Sequence, residues 1–289
     1  MKNSIKVAAN AKINLHLEIT GKRPNGYHDI SSCFQSVSLK DTLEISLNNS
    51  GIITAFTRGA EITGDNLVVS AAEKLLKKAD LNLGAEIYLE KNIPLFSGLG
   101  GGSADAAATL IGINTLLNNK LSNKELEEIA LSLGADVPFC LYGGTKKAEG
   151  LGEILTDVTL LKDYFIVLVK QFQKESTGKM YQRADKLESN GSVTDKFICA
   201  LQSNDIKAVK EYGKNDFLSV SDDITGQKLI CNDLESVGAF YCGLSGSGPT
   251  IFGLFEKKPE EKVFSELKNR YKEVYLCKTV NSGVEIISR

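Results

Sequence analysis

The sequence has few of the residues on which metal and histidine chemistry usually depends. Its 289 residues include no tryptophan, two methionines and two histidines, His16 and His28. The six cysteines form no CxxC pair, and the two closest, Cys231 and Cys242, are eleven positions apart. We therefore expect no zinc site, no metal ion held by the protein alone, and cysteines that pack as small apolar side chains.

The sequence also lacks a charge of one sign and any long hydrophobic run. Lys and Arg number 34 against 36 Asp and Glu, a formal net charge of -2, which argues against a nucleic-acid partner. No apolar run approaches the roughly 18 residues of a membrane span, and residues 1–10 lack the apolar core of a signal peptide. We expect a cytoplasmic protein with no membrane partner and two domains, 1–160 and 161–289.

Glycine is abundant in one place, the segment PLFSGLGGGSADAAATL of residues 94–110. Gly98 and residues 100–102 place four glycines within five positions, directly before Ser103. Glycine loses more backbone entropy on folding than any other residue, so these glycines must be present because the backbone adopts a conformation that other residues disfavour. A strand is predicted upstream at 84–90, and an alanine-rich helix follows. The segment is thus typical of a loop that feeds a helix N-terminus, where backbone N–H groups favour an anion.

This glycine segment matches neither of two common phosphate-binding patterns. GxxxxGK[ST] fails because Ser103 stands five residues beyond Gly98 and no lysine follows, and GxGxxG fails because position 103 is not glycine. The alternative is a strand-to-helix crossover whose glycines only permit close packing. One glycine usually suffices for such a crossover, which favours the anion-binding interpretation.

Two polar residues share one face of the first long strand. In KINLHLEI, residues 12–19, apolar and polar residues alternate strictly, so Lys12 and Asn14 point to the same side. This face is either an ordinary solvated surface or part of a site. The following RPNGYHD, residues 23–29, predicts a turn with Tyr27 and His28 at its exit, and these two side chains are either surface residues or ligands.

A carboxylate stands in an unusual position after the middle helices. We predict a helix at 66–78 with Asp65 as its N-cap, and a second helix that Ser122 and Glu125 open as a capping box and Gly134 ends. Asp136 follows directly. Because Pro138 disfavours a helical conformation for the residue before it, we predict a short extended link here. A carboxylate beside a helix C-terminus is unfavourable unless a cation meets it; the alternative is a solvated turn aspartate.

The second half reads as a further mixture of strands and helices. A strand at 164–169 opens it, and helical patterns follow at about 194–201, 203–213 and 223–237. A second glycine turn at 243–248 leads into a strand at 250–255. The predicted elements after it are a helix at 259–271 and a strand at 273–280.

The chain resembles the GHMP kinase superfamily along its whole length. The segments that carry the resemblance are AKINLHLEI at 11–19, PLFSGLGGGSADAA at 94–107 and GLSGSGPTIF at 243–252. The resemblance implies an α+β fold of two domains, a ribosomal-protein-S5-like ATP domain at the N-terminus and a ferredoxin-like α/β sandwich domain at the C-terminus, with the active site in the cleft between them. The partner it implies is a small molecule, and the chain is expected to be a monomer or a homodimer.

Three further segments narrow the resemblance to one branch of the superfamily. These are TGKRPNGYHDI at 20–30, GADVPF at 134–139 and AEGLGEIL at 148–155. The branch phosphorylates the 2-hydroxyl of 4-diphosphocytidyl-2-C-methyl-D-erythritol, a cytidine diphosphate derivative of methylerythritol, in the non-mevalonate route to isoprenoids. ATP is the implied phosphoryl donor, with Mg²⁺ bound to it.

The resemblance also implies a role for individual residues. Asp136 matches the catalytic aspartate and Lys12 its partner lysine. The positions implied for ATP are Asn66, Leu67, Lys91, Pro94, Gly98, Gly100, Gly101, Gly102 and Ser103, with Ser103 also near Mg²⁺. The positions implied for the acceptor are Asn14, Tyr27, His28, Phe34, Thr177 and Tyr181, with the cytosine ring between the two tyrosines and His28 at its polar edge.

The chain departs from the expected pattern at VLVKQFQKESTGKMY, residues 167–181. The resemblance predicts a turn containing proline and glycine after Lys170, so the matches of Thr177 and Tyr181 depend on an altered segment, and the charged pair Lys174 and Glu175 stands at the mouth of the predicted pocket. The alternatives are another GHMP-type kinase of the homoserine or mevalonate class, a non-catalytic nucleotide sensor, and an RNA-binding module, which the net charge disfavours.

Overall fold

The structure is a computed structural model that describes residues 4–59, 66–187 and 191–289. The elements of the first part are β1 (Ser4–Lys22), β2 (His28–Asn48), β3 (Ile53–Arg58), α1 (Leu67–Lys78), β4 (Gly84–Glu90), α2 (Gly101–Leu116), α3 (Asn123–Leu133), α4 (Val137–Tyr142), β5 (Thr145–Gly150) and β6 (Ile154–Asp157). Those of the second part are β7 (Phe165–Lys170), α5 (Thr177–Ala184), α6 (Thr194–Ser203), α7 (Ile206–Tyr212), α8 (Asp216–Ser219), α9 (Ile224–Ser236), β8 (Tyr241–Leu244), β9 (Thr250–Phe255), α10 (Glu261–Arg270), β10 (Glu273–Lys278) and β11 (Val284–Ser288).

The strands form two sheets. The first has seven strands in the order β11-β1-β2-β4-β3, and β5 and β6 extend it from β2; only β3 and β4 pair in parallel. The second is antiparallel in the order β10-β7-β9-β8. Helices accompany both sheets, so the predicted α+β class is confirmed.

The helix after the glycine loop, α2, is buried along most of its length. Its alanines let it lie close to the first sheet, and a β-carbon added at Gly112 would fall 2.7 Å from Ile45 Cδ1. Ala104, Ala106 and Ala107 are fully buried in the same core. Small side chains therefore set the distance between this helix and the strands β1, which carries Lys12, and β2.

The polar face of β1 is buried, contrary to the solvated-surface alternative. Lys12, Asn14, His16 and Glu18 are each less than 5% exposed. The second part of the chain covers the end of this face: His16 stacks on Phe197 of α6 at 4.9 Å between ring centroids. This strand thus has one face in the core of the first sheet, and its other face lies against the second part of the chain at His16.

Two local predictions are wrong in detail. The N-cap of α1 is Asn66, whose Oδ1 accepts a hydrogen bond from Val68 N at 3.0 Å, whereas Asp65 lies outside the described residues. Asp136 is helical (φ -83°, ψ -17°) and is the N-cap of α4, so the predicted extended link is absent. Proline is tolerated in the first turn of a helix, because a backbone N–H at that position would have no intrahelical acceptor. Pro138 stands in the first turn of α4 in this way.

Other elements match the predictions more closely. The predicted strands at 84–90 and 250–255 are β4 and β9, and the Ser122–Glu125 capping box is present on α3. The strands β3, β5, β6, β8 and β11 and the helices α4, α5 and α8 were not predicted.

The end of the chain returns to the first sheet, where β11 pairs with β1. The division of the chain near residue 160 stays a prediction. Among the described residues, no helix combines the length and the apolar character that crossing a bilayer requires.

Candidate active site

The site is built around an ion pair between β1 and the turn that joins α3 to α4. Lys12 Nζ lies 3.2 Å from Asp136 Oδ2. The lysine side chain is 5% exposed and that of the aspartate 35%, so the carboxylate faces the cleft while the ammonium is enclosed. The Asp136 side chain makes no capping hydrogen bond to α4, which leaves its carboxylate available to the ion pair. The predicted partnership of these two residues is therefore present in the structure.

Two further contacts hold the ammonium of Lys12. Its Nζ donates a hydrogen bond to Asn14 Oδ1 at 3.0 Å and lies 4.5 Å from the centroid of the Phe34 ring. Asn14 in turn donates from Nδ2 to Ser32 Oγ at 3.1 Å. A buried lysine with one ionic partner, one amide acceptor and an aromatic face has little freedom to move, which fixes where its charge acts.

The glycine loop ends in a helix N-terminus that has no side-chain cap. Gly100 is the N-cap of α2 with φ +70°, a left-handed conformation that favours glycine, and it has no side chain to offer. The backbone N–H groups of Gly101, Gly102 and Ser103 in the first turn therefore have no intrahelical acceptor. Together with the helix dipole they form an anion-binding site directly beside Lys12.

The glycine loop is fastened to the second glycine turn. Ser245 Oγ donates a hydrogen bond to the carbonyl oxygen of Gly98 at 2.9 Å. A β-carbon at Gly98 would lie 2.4 Å from the carbonyl oxygen of Ser245 and 2.8 Å from that of Gly248. Two segments far apart in sequence thus approach with backbone against backbone, which explains why both are rich in glycine.

These features line one cavity of about 370 Å³. It is polar at the ion pair and the helix N-terminus and apolar where Phe34, Leu67 and Phe217 contribute. Its lining residues are Lys12, Asn14, Leu17, Ile30, Phe34, Leu67, Lys91, Pro94, Leu95, Phe96, Ser97, Gly98, Gly100, Gly101, Gly102, Ser103, Asp136, Leu151, Lys174, Thr177, Tyr181, Phe217, Gly246 and Ser247.

Most of the residues predicted for ATP lie in this cavity. Leu67, Pro94 and the glycine loop line it, whereas Asn66 is absent from the lining and uses its side chain to cap α1. Leu67 Cδ1 would be 3.6 Å from a β-carbon at Gly102, so the start of α1 lies against the glycine loop.

Lys91 reaches the cavity from a buried ionic cluster. Its Nζ donates to Asp41 Oδ2 at 2.5 Å and to Asp105 Oδ2 at 2.6 Å. Burial, with the nearby Asp41 charge adding to it and Lys91 opposing it, raises the pKa of Asp105 to about 8. Burial alone would lower the pKa of Lys91, but the two carboxylates more than offset it. The Lys91 ammonium therefore holds the second turn of α2 in place through Asp105.

The residues predicted for the acceptor are only partly together. Thr177 and Tyr181 line the cavity one helical turn apart on α5, and burial together with the nearby Asp136 charge raises the pKa of Tyr181 to about 12. The ring of His28 stacks on that of Tyr181 at 4.6 Å, and its Nε2 lies 2.6 Å from Asp185 Oδ1. Tyr27 is 63% exposed and is not in the lining, so the predicted pair of tyrosine faces is not formed in this structure.

Sequence reasoning missed several lining side chains. Lys174 was noticed only as part of a charged pair, and Ser247 only as the middle of a glycine turn. Phe217, which meets Tyr181 edge to face at 4.8 Å, gave no signal because it lies on the short helix α8. Asp185 lies outside the lining of this cavity but holds His28, and it gave no signal because its partners Lys22 and His28 stand far away in the sequence.

The described residues contain no group of three or more His, Cys, Asp or Glu side chains that could hold a metal ion. A magnesium ion that arrives with a nucleotide needs few protein ligands, because phosphate oxygens and water complete its octahedron. The hydroxyl of Ser103 at the start of α2 and the Asp136 carboxylate are oxygen donors of the kind that Mg²⁺ prefers, so the residues present fit a magnesium ion bound with the nucleotide.

Comparison with known proteins identifies both halves of the chain. The profile of the GHMP kinases N terminal domain matches residues 66–144, and that of the GHMP kinases C terminal domain matches residues 200–273. The 4-diphosphocytidyl-2-C-methyl-D-erythritol kinase of Thermoanaerobacter pseudethanolicus is 40% identical over 291 residues, covering 98% of each chain. The protein of that name from Clostridioides difficile is 38% identical and covers 98% of this chain and 97% of its own.

Solved structures agree with the sequence comparison. A 4-(cytidine 5'-diphospho)-2C-methyl-D-erythritol kinase superposes with a TM-score of 0.78 at 26% identity, over 95% of this chain and 99% of its own. A homoserine kinase from Cytophaga hutchinsonii also has a TM-score of 0.78, at 22% identity over 99% and 98% of the two chains, which supports the fold alone. The chain therefore belongs to the GHMP kinases and, within them, to the 4-diphosphocytidyl-2-C-methyl-D-erythritol kinase family.

Proposed function

We propose that the protein transfers the γ-phosphoryl group of ATP to the 2-hydroxyl of 4-diphosphocytidyl-2-C-methyl-D-erythritol. The observation that carries the proposal is the 3.2 Å contact between Lys12 Nζ and Asp136 Oδ2 beside the uncapped N-terminus of α2. A binding protein needs the anion site but no base. An enclosed ammonium paired with a carboxylate that faces the cleft is what proton removal from an alcohol requires.

Asp136 acts as the general base in this proposal. Its carboxylate accepts the proton of the acceptor hydroxyl as that oxygen attacks the γ-phosphorus, and the bond from phosphorus to the bridging oxygen of ADP breaks. Lys12 keeps Asp136 in place and stabilises negative charge on the attacking oxygen and the phosphoryl group. Asn14 holds Lys12 and offers its amide to the erythritol portion. Positioning and charge stabilisation supply most of the rate in phosphoryl transfer.

The glycine loop binds the donor. The N–H groups of Gly100 to Ser103 hold the β- and γ-phosphates, and Gly98 gives the loop its shape. Asn66, Leu67, Lys91 and Pro94 belong to the side of the cleft where the remainder of the nucleotide lies. Ser103 would lie near a Mg²⁺ ion bound with ATP, and that ion would neutralise part of the phosphate charge.

The acceptor lies on the side of the cavity that Phe34, Thr177 and Tyr181 line. Tyr181 offers an aromatic face to the cytosine ring, and Phe34 and Thr177 lie nearby. Tyr27 joins the stack on the other face only if its exposed ring turns inward when the base arrives. His28, now stacked on Tyr181, reads the polar edge of the base after the ring of the ligand displaces it. Stacking gives affinity, and hydrogen bonds to the edge give base selectivity.

A panel of acceptor alcohols with ATP tests the proposal. The purified protein is expected to phosphorylate the cytidyl acceptor and to leave homoserine and mevalonate unchanged, as judged by phosphorus NMR of the products. Phosphorylation of homoserine or mevalonate in place of the cytidyl compound would assign the protein to another GHMP class. ATP binding without transfer to any acceptor would favour the nucleotide sensor.

The oligomeric state and the location remain part of this proposal. We expect a monomer or a homodimer, since each chain carries the whole ion pair and glycine loop. Because the donor is ATP, we place the enzyme in the cytoplasm.

A further inference from the structure

Lys174 is a lysine in the catalytic cavity to which the family resemblance assigns no role. It stands in the link between β7 and α5, where a turn with proline and glycine was predicted, and the chain has KE instead. Its side chain is half-buried and lines the same cavity as Lys12 and Asp136. The departure thus brings a third lysine to the cavity, in addition to Lys12 and Lys91.

The link directs this ammonium into the cavity. Lys174 Nζ donates to Ser247 Oγ at 2.8 Å and to the carbonyl oxygen of Gly248 at 3.1 Å, both on the second glycine turn. The next residue, Glu175, is held in another direction by Arg183 and by Asp222 N, which donates to its carboxylate at 2.9 Å. The ion pair of Glu175 therefore fixes the link so that Lys174 faces the cavity.

The charge of Lys174 is not balanced by the protein. Within the described ranges, no carboxylate lies within 4 Å of its Nζ, whereas Lys12 is paired with Asp136. Burial lowers the pKa of Lys174, repulsion from Lys12 lowers it further, and the charge of Asp136 opposes both. Lys12 and Lys174 thus share the charge of Asp136, whereas Lys91 is paired with Asp41 and Asp105, and an anion bound between Lys12 and Lys174 would relieve their repulsion.

The position of Lys174 indicates which anion it meets. Lys174 lies next to Thr177 of α5, whose hydroxyl is 2.9 Å from Ser247 Oγ, whereas the uncapped N-terminus of α2 belongs to the first part of the chain. Tyr181 follows Thr177 by one helical turn on the same face of α5. In a nucleoside diphosphate the ribose separates the base from the phosphates. A ligand of this kind whose base stacks on Tyr181 therefore reaches Lys174 with its diphosphate.

We propose that Lys174 binds the diphosphate of the cytidyl acceptor and that Ser247 positions its ammonium. This inference rests on the proposed function and adds a specificity residue to it. Two of the three ammonium protons are engaged by Ser247 Oγ and the carbonyl oxygen of Gly248, and the third is available to a phosphate oxygen. The residue thereby distinguishes a nucleoside diphosphate from a plain nucleoside.

Calorimetric titration with cytidine and with cytidine 5'-diphosphate, without ATP, tests the proposal on the whole protein. The wild type is expected to bind the diphosphate about 10- to 100-fold more tightly than cytidine, as a charge-assisted hydrogen bond allows. Lys174→Gln should remove most of that preference, and Lys174→Arg should retain it. Lys179→Gln, an exposed lysine on α5, is the matched control and should behave as the wild type.

The outcomes separate this inference from the function on which it rests. If the wild type phosphorylates the cytidyl acceptor and Lys174→Gln keeps both the acceptor KM and the diphosphate preference, the role of Lys174 is refuted while the function stands. A loss confined to binding of a non-hydrolysable ATP analogue would also refute it, because it would assign the lysine to the donor. Transfer to a different alcohol by the wild type would refute both.

Discussion

The side chain of Lys12 packs on Gly100, so that a β-carbon at position 100 would lie 2.9 Å from Lys12 Cγ and 3.3 Å from its Cε. The glycine loop and the lysine are therefore fitted to one another directly. Glycine at this position serves two purposes, because it adopts φ +70° and because it leaves room for the stem of the lysine. A substitution at Gly100 that adds a side chain must therefore displace Lys12 and disturb its ion pair with Asp136.

Gly100→Ala is expected to lower kcat/KM by about 10- to 100-fold. The left-handed conformation costs an alanine about 1–2 kcal/mol, and the new methyl group displaces Lys12 from Asp136. Steady-state kinetics with both substrates varied would measure the effect. Gly102→Ala is the matched control, since its β-carbon would lie 3.6 Å from Leu67 Cδ1 and its φ is ordinary. Equal loss in the two variants would contradict the role of the Lys12 contact.

Asp136→Asn is expected to lower kcat by about 10²- to 10⁴-fold, because the amide cannot accept the proton of the acceptor hydroxyl. The affinity for a non-hydrolysable ATP analogue should stay within a few-fold, since the glycine loop is untouched. Rapid-quench turnover and analogue titration would provide the two measurements. Asp157→Asn, at an aspartate whose side chain is 85% exposed, controls for the change of charge. Normal turnover in Asp136→Asn would remove this residue from the base role.

Glu18 should support the fold in a pH-dependent way. Its carboxylate accepts hydrogen bonds from Thr194 Oγ1 at 2.7 Å and Thr194 N at 3.2 Å, and Lys214 Nζ lies 2.9 Å away. Burial alone would raise the pKa of Glu18, but hydrogen bonds from His16, Ser192, Thr194 and Lys214 more than offset this and hold its pKa well below the ordinary value.

A carboxyl with a lowered folded-state pKa stabilises the protein fully above its unfolded pKa of about 4.3; this contribution shrinks as the pH falls below that value and is lost only at the folded-state pKa. Glu18→Gln should therefore cost about 2–4 kcal/mol of unfolding free energy at pH 7 and about 1–2 kcal/mol less near pH 3. Urea titrations at both pH values would measure the difference. Glu266→Gln, at an exposed position, should show no such dependence. A cost for Glu18→Gln that is the same at both pH values would show that the charge contributes nothing.

In the buried cluster of Lys91, Asp41 and Asp105, the fold should tolerate the replacement of Asp105 by asparagine better than that of Asp41. Burial raises the pKa of Asp105 to about 8, so losing its charge costs little, and Asp105→Asn keeps the size of the side chain. Asp41 is different, since its Oδ1 also accepts from Asn92 N and from Ile93 N at 2.8 Å. We expect Asp41→Asn to cost about 3 kcal/mol or more and Asp105→Asn about 1 kcal/mol. Chemical denaturation of both variants measures this order, and the reverse order would contradict it.

Much of the site could be predicted from short segments of sequence. The alternation in residues 12–19 correctly placed Lys12 and Asn14 on one face, and the glycines at 98 and 100–102 correctly predicted a loop before a helix. The capping box at Ser122 was equally local. In each case the conformation depends on neighbours within a few residues, such as a missing β-carbon or a side chain that reaches the nearest N–H.

The misses have a common physical origin. Asp136 was predicted in an extended link because Pro138 restricts the residue before it, yet proline also starts helices, and packing of α4 decided between the two. The polar face of β1 looked solvated because nothing within residues 12–19 indicates that α6 covers it. Lys174 gave no clue to its direction, which depends on Ser247 and on the ion pair of Glu175 with Arg183.

By itself the sequence determined the conformations of the pieces: a strand with alternating faces, a glycine loop at a helix N-terminus, and a carboxylate after a capped helix. Only the tertiary structure decided that Lys12 meets Asp136, that the two glycine turns touch at Gly98 and Ser245, and that Lys174 enters the cavity. The reason is that backbone conformation responds to forces within a few residues. Charges and close backbone contacts instead come together through the packing of segments that lie more than a hundred residues apart.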